Sequence, residues 1–194
     1  MPLLKDHIAV VTGAASGIGR AIAKGYAQEG ARVALLDIDA KAAADVASEI
    51  NSAGGKAESF ALDVTKREDC FAVAKEVAAK VGPVSILVNN AGINRRNAFT
   101  AEPEAVLKDW QDIMAINLNG VFNVTHAFLD PLRATKGRIV NIASIQSFVH
   151  LRTPSSAAYT TSKHGVLRGG VGRGVRRAHM HERLDRADID DPPF

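Results

Sequence analysis

Cysteine, aromatic residues and long apolar runs are scarce in this 194-residue chain. Its one cysteine, Cys70, excludes an internal disulfide and lies in a stretch that reads as helix, where a buried thiol is the simplest account. Aromatic residues make up 5 % of the sequence, too few for a platform on which single-stranded nucleic acid would stack. The net charge is only +3 and the cations are spread among the acids, so no nucleic-acid partner is expected. No apolar run reaches the roughly 18 residues of a membrane span, and Met1 to Asp6 carries no signal-peptide pattern. The chain therefore reads as soluble and cytoplasmic, without a membrane partner. His179 and His181 are too isolated to make a ligand set, and no metal is expected.

What the chain has is alternation. His7 to Thr12 is a short apolar strand that ends in a glycine-rich turn. Ile18, Ile22 and Tyr26 then recur at four-residue spacing, as on one helix face. Strands follow at Arg32 to Leu36, Lys56 to Leu62, Ser85 to Val88 and Arg138 to Ile142. Between them lie helical stretches at 40–53, 66–81 and about 104–133, the last with Ile113, Asn117, Val121 and Phe128 near one face. Continuous apolar strands separated by helices imply a doubly wound α/β fold: a parallel sheet covered on both faces, in three layers.

The first turn reads Thr12-Gly13-Ala14-Ala15-Ser16-Gly17-Ile18-Gly19. Its glycines let the backbone approach a phosphate, and the helix that follows aims its free N–H groups there. No Gly-Lys-Ser/Thr ending is present, which disfavours a nucleoside-triphosphate loop. Asp37 ends the second strand, where a carboxylate can accept from an adenosine ribose and repel a 2′-phosphate. Ile38 follows in place of a cation, so NAD is preferred, with NADP not excluded.

Tyr159 and Lys163 lie one helical turn apart on one face, which sets an ammonium near a phenol and favours proton transfer near neutral pH. Together with the glycine turn, Asp63-Val64, Asn89-Asn90-Ala91-Gly92, Asn117 and Ser144, the pair resembles the short-chain dehydrogenase/reductase family, from about residue 5 to Leu167. The resemblance implies a Rossmann-like domain over 1–167 and an enzyme moving hydride between a nicotinamide and an alcohol or carbonyl. It implies cofactor contacts at Gly13, Ser16, Gly17, Ile18, Gly19, Asp37, Asp63, Val64, Asn90, Ala91, Gly92, Tyr159 and Lys163. Asp63 would meet the adenine amino group. Tyr159 would be the acid/base, Ser144 would hold the substrate oxygen, and Lys163 would bind the ribose. Asn117 would hold a relay water. Family members are usually dimers or tetramers.

Arg95, Arg96 and Gln146 flank the site in segments that resemble members acting on sugars, sugar acids and polyols. An arginine there could pair with a carboxylate, or simply be a solvated loop residue. Beyond Leu167 the resemblance stops. Gly169, Gly170, Gly172 and Gly174 would each weaken a helix by roughly 1 kcal/mol, and no strand-like run follows. The expectation is a shortened or frame-altered C-terminal part: a poorly ordered tail over 168–194, a sheet lacking the last two family strands, an exposed strand edge, an oligomer in doubt, and weak or absent activity. The alternative function is a truncated Rossmann domain that binds NAD without turnover.

Overall fold

The computed structural model describes residues 2–95, 97–149, 157–168 and 176–180, the last segment by its backbone. Its chain order is β1 (Ile8–Thr12), α1 (Gly17–Gln28), β2 (Arg32–Asp37), α2 (Ala40–Ser52), β3 (Lys56–Ala61), α3 (Arg67–Lys80) and β4 (Ile86–Asn89). Then come α4 (Pro103–Ile113), a π-helical segment (Met114–Gly120), α5 (Val121–Ala127), α6 (Leu129–Ala134), β5 (Arg138–Ile142), a 3₁₀ turn (Ile145–Ser147), α7 (Ala157–Arg168) and β6 (Arg176–Met180). The strands form one parallel sheet in the order β3-β2-β1-β4-β5-β6.

Alternate residues of β1 feed two cores. Ile8 and Val10 pack with Leu36, Phe60, Val77, Phe128 and Leu132 on one face, whereas Ala9 and Val11 pack with Ala23, Val33, Leu35 and Ile50 on the other. Period-two alternation sends successive side chains to opposite faces, so a strand covered on both sides must be apolar throughout. The doubly wound architecture read from the sequence is the one observed. Among the described residues no helix is long and apolar enough to cross a membrane.

Three local readings change. The buried face of α1 is Gly19, Ala23 and Ala27, not the Ile18 row, and Ile18 is 60 % exposed. Small residues on that face bring the helix close to the sheet, and the larger side chains flank it. The helix expected over 104–133 is interrupted by the π-helical segment and broken again at Phe128. A strand is also present where none was expected. β6 pairs with β5 from Arg138↔Arg176 to Ile142↔Met180. The sequence Arg-Arg-Ala-His-Met carries neither an apolar run nor a clean alternation, so this pairing satisfies β5's edge through main-chain bonds that no side-chain pattern announces. The exposed β5 edge is thereby corrected. The rest of the expected tail, 169–175 and 181–194, lies outside the described residues, as does His181.

Candidate active site

Strand order reverses between β1 and β4, and a cavity of about 580 Å³ opens at their C-terminal ends. The glycine turn forms its floor. Gly13 has φ +63° and lies so near the next strand's end that a Cβ would stand 2.9 Å from Ala91 Cα. Gly17 is also left-handed, at φ +51°, with open space where a side chain would be. Gly19 does not line the cavity. It lies beneath the turn, where a Cβ would collide with the Gly13 carbonyl and the Asn90 amide. The Ser16 side chain makes no capping bond to α1, so it does not consume the first-turn N–H groups.

A few hydrogen bonds fasten the turn. Thr12 Oγ1, fully buried, accepts the N–H groups of Asn90 and Ala91 at 3.0 Å each. Asn90 Nδ2 donates back to the carbonyls of Thr12 and Gly13. Asp37 accepts the Ala15 N–H at 2.9 Å and the Asp39 N–H at 3.0 Å, so its carboxylate is held at the rim. Beside it Ile38 is 73 % exposed, although apolar. Asp63 accepts from the Thr65 N–H and hydroxyl. Val64, Ala91 and Gly92 complete this side.

The other end belongs to α7. Tyr159 and Lys163 both line the cavity, with the ammonium 5.7 Å from the phenol ring centre. Lys163 is 6 % exposed, and Nζ donates to the Ile142 carbonyl at 2.7 Å. Burial pulls its pKa down from 10.5 to about 8. Asn117, in the π-helical segment, accepts the Ile93 N–H and donates to the Ile93 carbonyl, each at 2.8 Å. Its amide also reaches Ser162 Oγ at 3.3 Å, and that hydroxyl donates to the Tyr159 carbonyl. Asn117 thus ties the segment after β4 to α7. Its side-chain groups serve protein partners, and it does not line the cavity.

Ser144, Gln146 and Arg95 also lie off the cavity lining. Ser144 caps the 3₁₀ turn, with Oγ accepting the Gln146 N–H at 3.3 Å. Gln146 Oε1 accepts the Thr160 hydroxyl at 2.8 Å, which joins that turn to α7. Arg95 faces α4. Arg96 is outside the described residues. Sequence reasoning gave no role to the Thr12 hydroxyl, Ser162 or the Ile142 carbonyl, nor to the buried Asn89–Asn141 pair, joined at 2.9 Å. Thr12 carries a faint signal, a hydroxyl immediately before the glycine turn. The carbonyl carries none.

Fold and cavity together define a doubly wound α/β domain with Tyr159 and Lys163 at one end of a cavity that opens at the strands' C-terminal ends. The chain belongs to the short chain dehydrogenase family, whose match covers residues 7–168. It is 42 % identical over 183 residues to the D-threitol dehydrogenase of Mycolicibacterium smegmatis, covering 89 % of this chain and 68 % of that protein. The 3-oxoacyl-[acyl-carrier-protein] reductase FabG of Thermotoga maritima is 36 % identical over 165 residues, covering 84 % and 65 %. A solved structure from Beutenbergia cavernae, provisionally named an NAD(P) dependent gluconate 5-dehydrogenase and holding NADP at low occupancy, shares 41 % identity with a TM-score of 0.75. That alignment covers 84 % of this chain and 64 % of the other. The chain thus spans about two thirds of the length of these relatives.

Proposed function

We propose that this chain is an NAD(P)-dependent oxidoreductase acting on a polyhydroxylated alcohol or its carbonyl counterpart. One observation carries the reading: Tyr159 and Lys163 line the same cavity as the glycine turn and Asp37. The residues present fit a dinucleotide. The turn leaves space where Cβ atoms would intrude, and the exposed Ile18 and Ile38 offer apolar contacts for a flat ring at the rim. Asp37 supports NAD over NADP, because a fixed carboxylate accepts ribose hydroxyls and repels a phosphate.

The bound nicotinamide supplies the hydride acceptor or donor. The rest is the chain's work. In the oxidation direction deprotonated Tyr159 would take the hydroxyl proton as the carbon's hydrogen leaves with its electron pair, as hydride, and the alcohol becomes a carbonyl. In the reverse direction Tyr159 returns that proton. Lys163, released from the Ile142 carbonyl, binds ribose hydroxyls and holds positive charge beside the phenol. Ser144 Oγ accepts the Gln146 N–H and can still donate its own hydrogen to position the reacting oxygen, and Gln146, tied to Thr160, adjoins the substrate side. Asn117 fixes Ile93 and, through Ser162, α7.

The relatives' names support both polyol and acyl substrates, and the threitol dehydrogenase has the higher identity of the two curated relatives. The test is calorimetric titration of the purified chain with NAD and NADP, followed by spectrophotometric assay on a polyol panel. Binding of NAD at least about tenfold tighter than NADP, followed by turnover, supports the reading. Binding without turnover on any alcohol favours the alternative, a domain that holds the dinucleotide only.

A further inference from the structure

Two residues of the cavity wall, Ile93 after β4 and Tyr159 on α7, are joined behind that wall by a run of four hydrogen bonds. Asn117 holds both main-chain groups of Ile93 at 2.8 Å. The second hydrogen of its amide reaches Ser162 Oγ at 3.3 Å, and that hydroxyl donates onward to the Tyr159 carbonyl at 2.7 Å. Asn117 is 1 % exposed and Ser162 is fully buried. Glycines beside the link let its parts approach. A Cβ on Gly92 would stand 3.2 Å from Asn117 Oδ1, and one on Gly165 would stand 2.8 Å from Leu118 Cδ1.

A serine inside a helix often bonds back to a carbonyl one turn earlier, and that half of the Ser162 geometry is ordinary. The other half is not. By accepting from Asn117, the hydroxyl completes the partners of an amide that is sealed from water. Without it one amide hydrogen is stranded, and the amide must shift or turn, which loosens its double hold on Ile93. The first turn of α7 loses a brace at Tyr159 in the same step. Only a side chain that donates once and accepts once makes the link. Alanine makes neither half, and cysteine makes both weakly.

We propose that Ser162 is a positioning residue, whose hydroxyl couples the α7 turn carrying Tyr159 to the cavity wall at Ile93 through Asn117. Its consequence for catalysis rests on the oxidoreductase reading and deepens it. Proton transfer needs the phenol at a fixed distance from a substrate held between α7 and the segment after β4, and the link sets how those two elements stand to each other. Ser162 acts through Tyr159 and Ile93 and does not itself line the cavity.

Amide hydrogen exchange followed by NMR, together with kinetics, tests this on the full chain carrying Ser162→Ala. The Ile93 N–H, which Ser162 does not touch, should exchange at least about tenfold faster, while amides of β1 stay within about threefold of the unsubstituted chain. On a polyol that the unsubstituted chain oxidises, kcat should fall at least about tenfold, with NAD affinity by titration held within about threefold. Should Ser162→Ala fail to fold, Ser162→Cys, which weakens both bonds at similar volume, is judged by the same criteria. Unchanged exchange at Ile93, or faster exchange spread equally over β1, overturns the inference. So does an unchanged kcat, or a loss of NAD affinity that matches the loss of kcat. Exchange is read without turnover. If the unsubstituted chain oxidises no alcohol, the oxidoreductase reading fails and the Ile93 amide alone decides the link.

Discussion

The two ends of the cavity are built differently. At the glycine turn nearly every constraint is on main-chain geometry: φ values at Gly13 and Gly17, a forbidden Cβ at Gly19, and backbone groups gathered by Thr12 and Asn90. At the α7 end the constraints are side-chain bonds between separate segments: Lys163 to Ile142, Gln146 to Thr160, and Asn117 to Ile93 and Ser162. A site that grips an invariant cofactor can be cast in backbone. Under the proposed function, the end that moves a proton is the one assembled from replaceable side chains.

Substitutions can sharpen that contrast or break it. The largest effect is expected at Tyr159→Phe. Under the proposed function, turnover should fall roughly 10²- to 10⁴-fold while dinucleotide affinity, read by titration, stays within about threefold. If affinity and turnover collapse together, the two ends are not separable. Gly19→Val should act on the other end. Its branched side chain has no room against Gly13 and Asn90, and urea denaturation should show a loss of about 3 kcal/mol with weakened dinucleotide binding.

Thr12→Val removes a buried acceptor that serves two partly buried N–H groups, at nearly constant volume. A loss of about 2 kcal/mol is expected, with Thr12→Ser recovering most of it. Lys163 gives the smallest effect, in the sign of a pH dependence. Its folded pKa, about 8, is below its ordinary 10.5, so the unfolded chain binds more protons between those values and stability rises with pH across them. The thiol of Cys70, pushed up to about 11 by burial, acts oppositely above pH 9. From pH 8 to 9 the lysine should therefore add about 1 kcal/mol in denaturation curves, and Lys163→Met should abolish that slope.

The same contrast governs what could be read in advance. The glycine turn, Asp37 and the apolar strands announce themselves because each residue type answers a local demand. The Tyr159–Lys163 pair was legible as helical spacing. The Ile18, Ile22 and Tyr26 row marked the helix, but four-residue spacing cannot tell which of two adjacent rows lies deepest, and Gly19, Ala23 and Ala27 take that place while Ile22 and Tyr26 pack at its flank. β6 was invisible because main-chain pairing with β5 leaves no mark on side-chain pattern. The engagement of Arg95 with Asp109 and Asp112 spans separate elements, so loop sequence alone left it open between ligand and solvent.

The π-helical segment Met114–Gly120 has an evolutionary reading as well as a geometric one. A π turn accommodates one residue more than an α-helix does over the same rise. Excising a single residue there would restore a seamless helix and rotate Asn117 away from Ile93 and Ser162. Such a deletion would be gentle to the fold and severe for the site. In evolutionary terms, the length of this stretch constrains where Asn117 points as firmly as any of its side chains does.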